Sequence, residues 1–421
     1  MRFLRCTRND KRAESIPPWR RGAGGSTIKK IQLLCSIIFV LGAQAQFSFD
    51  RILQSTPLLQ KVADNRQAYR LQIIYTQIDR DDKGIPHFKN YYYNLDSSLY
   101  FYCASLVKLP TAILALETLN ELGIDRNTTM FTDSANACQH SCRKDTTSET
   151  GYPSLAHYIK KMALVSDNFA FGRAYEFVGV DPMHKRLKEL GFPNMRIVHR
   201  FDGGCKGSDN TTTNPVSFYD KDLKQILKRP QQVSSQTYVN PIGPVYVGKA
   251  FYNAQNKKIN QPKDFTNMNY IALRDIHNML QRLVFQPYLE KNKQYKLRES
   301  DRLFLLDYLT RYPGQSDFPH YDTKTYYDSY KKYFLYGDSK KPITDTSLTI
   351  TNIVGQSYGF MSDCAYIRNK SKHVEFMLSA VIYANADEII NDGKYEYNTV
   401  ALPFLAELGR RIYASELTRK R

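Results

Sequence analysis

The stretch that decides the fold is FYCASLVKLPTAILALETLNELG, residues 101–123. It begins with an aromatic, strand-like run, and from Leu106 to Leu122 its apolar residues recur every three or four positions. Gly123 then follows as a helix C-terminal signal. The sequence therefore predicts a strand-like segment that leads into a helix, with Ser105 and Lys108 one turn apart on the same face of its start.

Two strands are predicted immediately before this helix. Apolar residues alternate in YRLQIIYTQID (69–79), and HFKNYYYNL (87–95) is rich in aromatic residues. The turn-forming sequence RDDKGIP separates the two runs. We expect an antiparallel pair of strands joined by this turn, and we interpret the tyrosines of this region and of KTYYDSYKKYF (324–334) as packing residues.

The middle of the chain has helical periodicity in SLAHYIKKMALV, SDNFAFGRAYEFVG, DPMHKRLKELGF, NYIALRDIHNMLQRLVF and SDRLFLLDYLTRY. Residues 221–266 have no firm period, which indicates an insertion or a long loop. Strand patterns return in SLTITNIVG, GFMSDCAYIRN and VEFMLSAVIYA, and the helical pattern TVALPFLAELGRRIYASEL ends the chain.

This order of elements predicts an α+β fold, in which an antiparallel sheet packs with N- and C-terminal helices and a separate all-helical lobe completes the domain. Residues 46–123 and 342–421 would form the α/β lobe. Residues 124–341 would form the helical lobe, with the insertion at about 221–266. The interface between the lobes is the expected position of a cleft.

The first 45 residues have the features of a secretory signal with a long basic n-region. KKIQLLCSIIFVLGAQAQ combines a basic flank, a short apolar run and a small-x-small end at Ala43 and Ala45. We predict cleavage after Ala45 and export to the periplasm or beyond. An uncleaved membrane anchor is the alternative, and it would be the protein's contact with a membrane.

The formal net charge of +18 comes partly from this leader, because residues 1–30 carry nine Lys or Arg and two Asp or Glu, which leaves +11 for the rest. No compact basic run with interleaved aromatics follows, so a nucleic-acid partner is not expected. A mildly basic exported protein suits a small anionic substrate or an anionic cell-wall surface.

Five cysteines follow the leader, an odd number that cannot pair completely within one chain: Cys103, Cys138, Cys142, Cys205 and Cys364. The spacing CQHSC is compatible with a local disulfide in an oxidising compartment. A zinc site would need two further ligands such as His140 and His157, and we expect no metal.

Ser-x-x-Lys is weak evidence by itself, because the spacing occurs at Ser26, Ser105, Ser141 and Ser329. Ser105 differs in lying at a predicted helix start, where free N–H groups favour a developing oxyanion. A lysine has an ordinary pKa of about 10.4, and burial lowers it enough for the amine to accept a serine proton. A solvated lysine at an exposed helix start is the alternative.

The segment Ser166-Asp167-Asn168 opens another predicted helix. One interpretation is helix capping, since all three residue types are favoured N-caps. The other is chemical, in which Ser166 transfers a proton and Asn168 binds a substrate carbonyl or a lysine.

At family spacing, Ser105-x-x-Lys108 and Ser166-Asp-Asn168, sixty-one residues later, resemble the penicillin-recognising serine hydrolases, specifically the class A β-lactamases. HRFD (199–202) is similar to the family's Arg-aromatic-Glu segment, NTTTNP (210–215) to the region after it, and YGFMSDCAYI (358–367) to the strand after the third motif. The likeness covers most of residues 65–415.

The resemblance implies a β-lactamase that acts through an acyl-enzyme on Ser105, with Lys108 and Ser166 as proton carriers. Asn168 would bind substrate. Gly355, Gln356 and Ser357 would border the substrate site, where a backbone N–H joins that of Ser105 in an oxyanion hole. The substrate would be a small-molecule β-lactam or a peptidoglycan-like compound, with no cofactor, and we expect a monomer.

Two departures from the family matter. The third motif, Lys-Thr-Gly or Lys-Ser-Gly in the family, is Ile353-Val354-Gly355 here and lacks the cation, which Lys340, Lys341, Arg368 or another basic group would have to supply. Asp202 stands in place of the deacylating glutamate, and Lys206 in place of the asparagine that helps to hold water. Asp202 is thus either the deacylating base or a loop residue paired with Arg200.

Two further functions therefore remain open. One is a same-fold esterase, cell-wall peptidase or penicillin-binding protein, which the missing third-motif lysine favours. The other is a catalytically impaired binding protein that recognises peptidoglycan or a partner through the same cleft. His199 is interpreted as structural, because no His with Asp or Glu forms a convincing triad in the sequence.

Overall fold

The computed structural model describes residues 47–201, 205 and 207–421. Residues 48–421 form one compact unit. The predicted leader and its cleavage site lie outside the described residues, as does Asp202. Among the helices that are described, none is long and apolar enough to cross a membrane.

The helices, in chain order, are α1 Phe49–Leu53, α2 Pro57–Asp64, α3 Lys108–Glu121, α4 Leu155–Val165, α5 Asn168–Val178, α6 Val180–Glu189, α7 Leu273–Phe285, α8 Glu299–Thr310, α9 Tyr333–Tyr336 and α10 Leu402–Thr418. The strands are β1 Gln72–Arg80, β2 Pro86–Tyr93, β3 Thr129–Thr132, β4 Val216–Tyr219, β5 Gln225–Arg229, β6 Tyr246–Val247, β7 Ala250–Tyr252, β8 Lys258–Ile259, β9 Lys263–Asp264, β10 Leu348–Ser357, β11 Phe360–Asn369, β12 Val374–Tyr383 and β13 Ile389–Ile390.

The core of the fold is a five-stranded antiparallel sheet in the order β10-β11-β12-β1-β2. The predicted hairpin is confirmed, with Tyr75 opposite Tyr91 across β1 and β2. The three strands near the C-terminus complete the sheet because β12 pairs with β1, Ile74 lying opposite Ser379. The predicted α+β class with an antiparallel sheet is therefore correct, and β10 forms one edge of this sheet.

Helices cover both faces of the sheet. On one face Tyr75 donates a hydrogen bond from its hydroxyl to Glu416 of α10. Its neighbour Thr76 points the opposite way, because side chains alternate along a strand, and meets His277 of α7 at 2.9 Å. His277 also lies 2.8 Å from Ser379 of β12. Burial lowers the pKa of this imidazole to about 3, which fits a neutral core histidine.

The helices α3, α4, α5 and α8 pack together beside the sheet, with α8 also against β10. Residues 221–266, where the sequence shows no firm period, contain β5 and the shorter strands β6 to β9. Their pairing partners include strands outside the insertion, since β5 pairs with β4 and β7 with β13. Two- and three-residue strands are too short to produce a recognisable alternation, so the sequence pattern does not reveal them.

The local disulfide within CQHSC does not form. Cys138 is bonded to Cys205, while Cys142 is a free, buried cysteine. The backbone of Cys142 exchanges hydrogen bonds of 2.9 and 3.0 Å with Thr132 of β3, which holds it in a bridge to that strand. Cys103 and Cys364 are also free and buried.

Candidate active site

The predicted nucleophile lies in a tight turn before α3. A 3-10 turn over Ala104–Val107 leads directly into that helix. Ala104 has a φ of 44°, which is unusual for a residue with a Cβ, and such strained backbone is concentrated at functional sites. Ser105 is half-buried among buried neighbours and lines a large cavity. The turn thus presents one hydroxyl to the cavity from an otherwise apolar segment.

The amino group of Lys108 joins the predicted residues of the site. Its Nζ lies 2.7 Å from Oγ of Ser105, 2.9 Å from Oγ of Ser166 and 2.8 Å from Oδ1 of Asn168. It also lies 2.7 Å from the backbone oxygen of Ser166. An ammonium group has three N–H donors for these four oxygens, whereas a neutral amine also accepts a proton from a hydroxyl. The arrangement is therefore suited to proton exchange between Lys108 and either serine.

The surroundings of Lys108 favour the neutral amine. The side chain is 1% exposed, and burial lowers its pKa well below the ordinary value. The nearby positive charge of Lys331 lowers the pKa further, whereas Asp167 acts in the opposite direction. Desolvation of an ammonium group lowers its pKa, which is how proteins increase the fraction of neutral lysine that can act as a base at neutral pH.

The structure distinguishes the two interpretations of Ser166-Asp167-Asn168. Asp167 is the N-cap of α5 and accepts a hydrogen bond of 2.7 Å from the backbone N–H of Ala170. Ser166 ends α4 in the left-handed region, with a φ of 61°. Of these three residues, the side chain of Asp167 therefore caps the helix, whereas the side chains of Ser166 and Asn168 contact Lys108.

The edge strand β10 passes close to the turn that carries Ser105. A Cβ on Gly355 would lie 2.6 Å from the backbone oxygen of Cys103, so only glycine allows this approach. Gly355 is therefore a packing position and does not line the cavity, whereas Gln356 and Ser357 do. Of the predicted substrate-binding residues, Asn168, Gln356 and Ser357 border the same cavity as Ser105.

This cavity is a cleft of about 1030 Å³. Beyond the residues named above it is lined by Tyr358 just after β10, by Ser235 and Tyr238 of the 221–266 insertion, by Met268 just after that insertion, and by His199 and Phe201 from the segment after α6. The insertion that interrupts the family resemblance thus forms part of the cleft wall. His199 also accepts a hydrogen bond from the backbone of Asn269, in agreement with its predicted structural role.

The other described Ser-x-x-Lys copies lack this geometry. Ser141 and Lys144 are exposed. Ser329 donates to the backbone oxygen of Ser339, and Lys332 donates to other groups. Surroundings, and not spacing, separate Ser105 from these copies.

Arg200, which lines the cleft, is anchored by a buried carboxylate. Glu176 of α5 pairs with Arg200 and also with Arg173, and all three residues are buried. Arg200 also donates to the backbone oxygen of Thr212 at 2.8 Å. Because Asp202 and Lys206 lie outside the described residues, their predicted places in deacylation stay predictions.

The site has a nearby buried cation that the sequence interpretation missed. Ile353 is 1% exposed, and the three cations proposed in its place, Lys340, Lys341 and Arg368, do not line the cleft. Lys331 is instead the buried cation whose charge acts on Lys108. Its only sequence signal was a Lys-Lys pair inside the tyrosine-rich segment that we interpreted as packing. Among the described residues, no cluster of His, Cys, Asp and Glu suits a metal ion.

The chain is similar to a known protein family and to several solved structures. The model of the beta-lactamase enzyme family matches residues 58–415. No curated protein matches the chain. Among solved structures the chain is similar to a β-lactamase from Sphaerobacter thermophilus, with 10% identity, coverage of 88% of this chain and 98% of that one, and a TM-score of 0.47. A variant of the last common ancestor of the class A β-lactamases of Gram-negative bacteria has 13% identity, coverage of 86% and 98%, and a TM-score of 0.46.

Proposed function

Because the chain belongs to the beta-lactamase enzyme family, we propose that it is a serine hydrolase that opens β-lactam amides through an acyl-enzyme on Ser105. The observation that carries the proposal is the contact of one buried amino group with two serine hydroxyls and the Asn168 amide. A lysine with only a structural role would not require strained backbone at both serines, and such backbone is found at Ala104, beside Ser105, and at Ser166 itself.

Acylation follows from these distances. Oγ of Ser105 attacks the lactam carbonyl carbon while its proton moves to the neutral Nζ of Lys108, 2.7 Å away. When the carbon–nitrogen bond breaks, Ser166 gives its proton to the leaving nitrogen, and Lys108 returns a proton to Ser166 across 2.9 Å. The proton released by the nucleophile thus reaches the leaving group.

Deacylation requires a water molecule activated by a second base, and we assign this role to Asp202 on the family resemblance. Arg200 and Cys205, which flank it in sequence, are both tethered, the first to Glu176 and the second to Cys138. An aspartate is one methylene shorter than glutamate, so we expect deacylation and not acylation to limit turnover.

Hydrolysis of a chromogenic cephalosporin tests the activity. We expect the native protein to turn over the substrate and Ser105→Ala to lose at least about 10³-fold in kcat/KM, since removal of a nucleophile eliminates the covalent route. Ser141→Ala is the matched control, because Ser141 begins an exposed copy of the same spacing and should retain native activity. Native-like hydrolysis by Ser105→Ala would contradict the proposal.

A second candidate is an ester or peptide hydrolase of the same mechanism. Ile353 favours it, because this strand position offers no cation to a substrate carboxylate, and the cations that line the cleft include Arg196 and Arg200 from another segment instead. Hydrolysis of a chromogenic ester without hydrolysis of cephalosporins, abolished in Ser105→Ala, would favour this candidate. Binding of peptidoglycan by native protein and Ser105→Ala alike, without turnover of any acyl substrate, would favour a binding protein instead.

We also propose export through the N-terminal leader. The support is the order of a basic flank, a short apolar run and Ala43-x-Ala45 in the sequence. N-terminal sequencing of protein recovered outside the cytoplasm is expected to begin at Gln46. A mature chain that retains the leader would indicate an anchor.

A further inference from the structure

A buried lysine in the segment between α8 and β10 contacts the helix end that leads into Ser166. Lys331 is 4% exposed, and its Nζ donates to the backbone oxygens of Met162 and Ala163 at 3.2 and 2.8 Å. Both oxygens belong to the last turn of α4, which leads into Ser166. C-terminal carbonyls of a helix are favourable partners for a cation.

The same α4 residues are those that Ile353 approaches. A small apolar pocket is lined by Lys108, Met162, Ala163 and Ile353 together with residues of α3, α4 and α8. The strand position that is a lysine in the resembled family therefore directs an apolar side chain toward Met162 and Ala163, the two residues whose backbone oxygens bind Lys331.

We propose that Lys331 is a positioning residue that replaces the third-motif lysine. It binds the end of α4, which fixes the turn that carries Ser166, and it places a positive charge near Lys108. The proposal rests on the acyl transfer proposed above and extends it. Lys331 does not line the cleft, so it acts through Lys108 and Ser166 and not on substrate.

The residues around Lys331 hold it in this position. The next residue, Lys332, donates to the backbone oxygens of Leu309 and Ile350 at 2.8 Å each. Asn352 of β10 donates to the backbone oxygen of Lys331 at 2.6 Å and to Asp363 at 2.9 Å. The hydroxyl of Tyr333 reaches the side chain of Gln356. The segment is therefore attached to β10 on both sides of Ile353.

The charges that act on this pair of lysines support the inference. Lys108 is affected by Lys331 and, with the opposite sign, by Asp167. Lys331 is affected by Asp363, which partly offsets burial, and its pKa is lowered to about 7. Below this pH the charged Lys331 opposes protonation of Lys108. A charged Lys331 therefore favours the neutral amine of Lys108, the form that can accept the Ser105 proton.

The experiment measures the titration of Lys108 in the unreacted protein and then the acylation of Ser105. The full chain is labelled with ¹³C-lysine, and the ¹³Cε resonance of Lys108 is assigned with Lys108→Arg. Native protein is compared with Lys331→Met and with Lys144→Met, a control in which an exposed ammonium group far from this segment in sequence is lost. Acylation by benzylpenicillin is followed by intact-protein mass against pH.

We expect Lys331→Met to shift the Lys108 titration to higher pH and to slow acylation on the acid side of the profile by about tenfold. Lys144→Met should leave both unchanged, and Lys331→Met/Ile353→Lys should recover the native titration. An unchanged Lys108 titration in Lys331→Met, or an equal shift in Lys144→Met, would overturn the inference. If Lys331→Met does not fold, Lys331→Met/Ile353→Lys is the deciding variant. A native Lys108 titration in this double variant supports the replacement of the third-motif lysine by Lys331, and failure of the double variant to fold contradicts it.

Because the titration needs no substrate, the two proposals fail separately. If native protein forms no benzylpenicillin adduct at any pH, the proposed function is contradicted. The change of the Lys108 titration in Lys331→Met can still be measured in that case.

Discussion

Two regions that border the cleft are held in different ways. The acylation corner, which we define as Ser105, Lys108, Ser166 and Asn168, is built from helix ends and packed against β10. Around Arg200 and Cys205 the chain is instead held by an ion pair and a disulfide. We infer that acylation is protected by the core, whereas deacylation depends on a few side chains.

The largest effect is expected for Lys108→Arg. A guanidinium group keeps its proton, so it cannot accept the proton of Ser105, and we expect acylation to slow by about 10³-fold. Stopped-flow mixing with a chromogenic cephalosporin measures the burst rate. Lys144→Arg, in the exposed copy of the spacing, should be native-like. Retention of acylation within tenfold of native would remove Lys108 from the role of base.

Glu176→Gln tests the ion pairs that hold the chain around Arg200. The variant leaves Arg173 and Arg200 buried without their carboxylate, and such losses cost about 3–5 kcal/mol of the free energy of unfolding. Urea unfolding measures this cost. Glu189→Gln is the control, because its pair with Arg186 is partly exposed and should contribute less than about 1 kcal/mol. Equal losses in both variants would contradict a structural role for the Glu176 cluster.

The disulfide offers a smaller and more selective test. In Cys138→Ser/Cys205→Ser we expect deacylation to slow by about tenfold, because misplacement of a catalytic base lowers rates steeply. Acylation should remain within about threefold of native, since the acylation corner does not include the disulfide. Time-resolved mass spectrometry separates the two rates. A loss confined to acylation would contradict the division of the cleft into two regions.

A further prediction concerns stability against pH and leaves the cleft untouched. Burial lowers the pKa of Lys332 from 10.5 to about 7 in the folded protein. Between these values the unfolded chain binds more protons than the folded one, so this lysine makes the free energy of unfolding rise as pH increases from 7 to 10. Urea unfolding at several pH values should show a smaller rise in Lys332→Met than in native protein. An identical slope would mean that Lys332 does not titrate as inferred.

The sequence predicts the sheet, its helices and the acylation corner because each has a local signal. Apolar residues alternate in β1, and the period of three or four identifies α3. Ser105 and Ser166 are distinguished by helix boundaries, which are also local. These parts of the fold follow from short-range patterns and from the family resemblance.

Residues that act across long sequence separations were not predictable in this way. Lys331 lies more than 150 residues from the α4 carbonyls that it contacts, and Cys138 lies 67 residues from Cys205. Nothing near Lys331 in sequence indicates that its ammonium group is buried. Such contacts depend on how the segment between α8 and β10 packs against the sheet, which a single sequence does not specify.

The most direct test of the central claim is to locate the covalent adduct. Native protein is mixed with benzylpenicillin, quenched within seconds and digested, and the modified peptide is identified by mass spectrometry. We predict one penicilloyl group, attached to Ser105 in the peptide that includes CASLVK, and no adduct in Ser105→Ala. An adduct on another residue, or equal labelling of Ser105→Ala, would contradict the account.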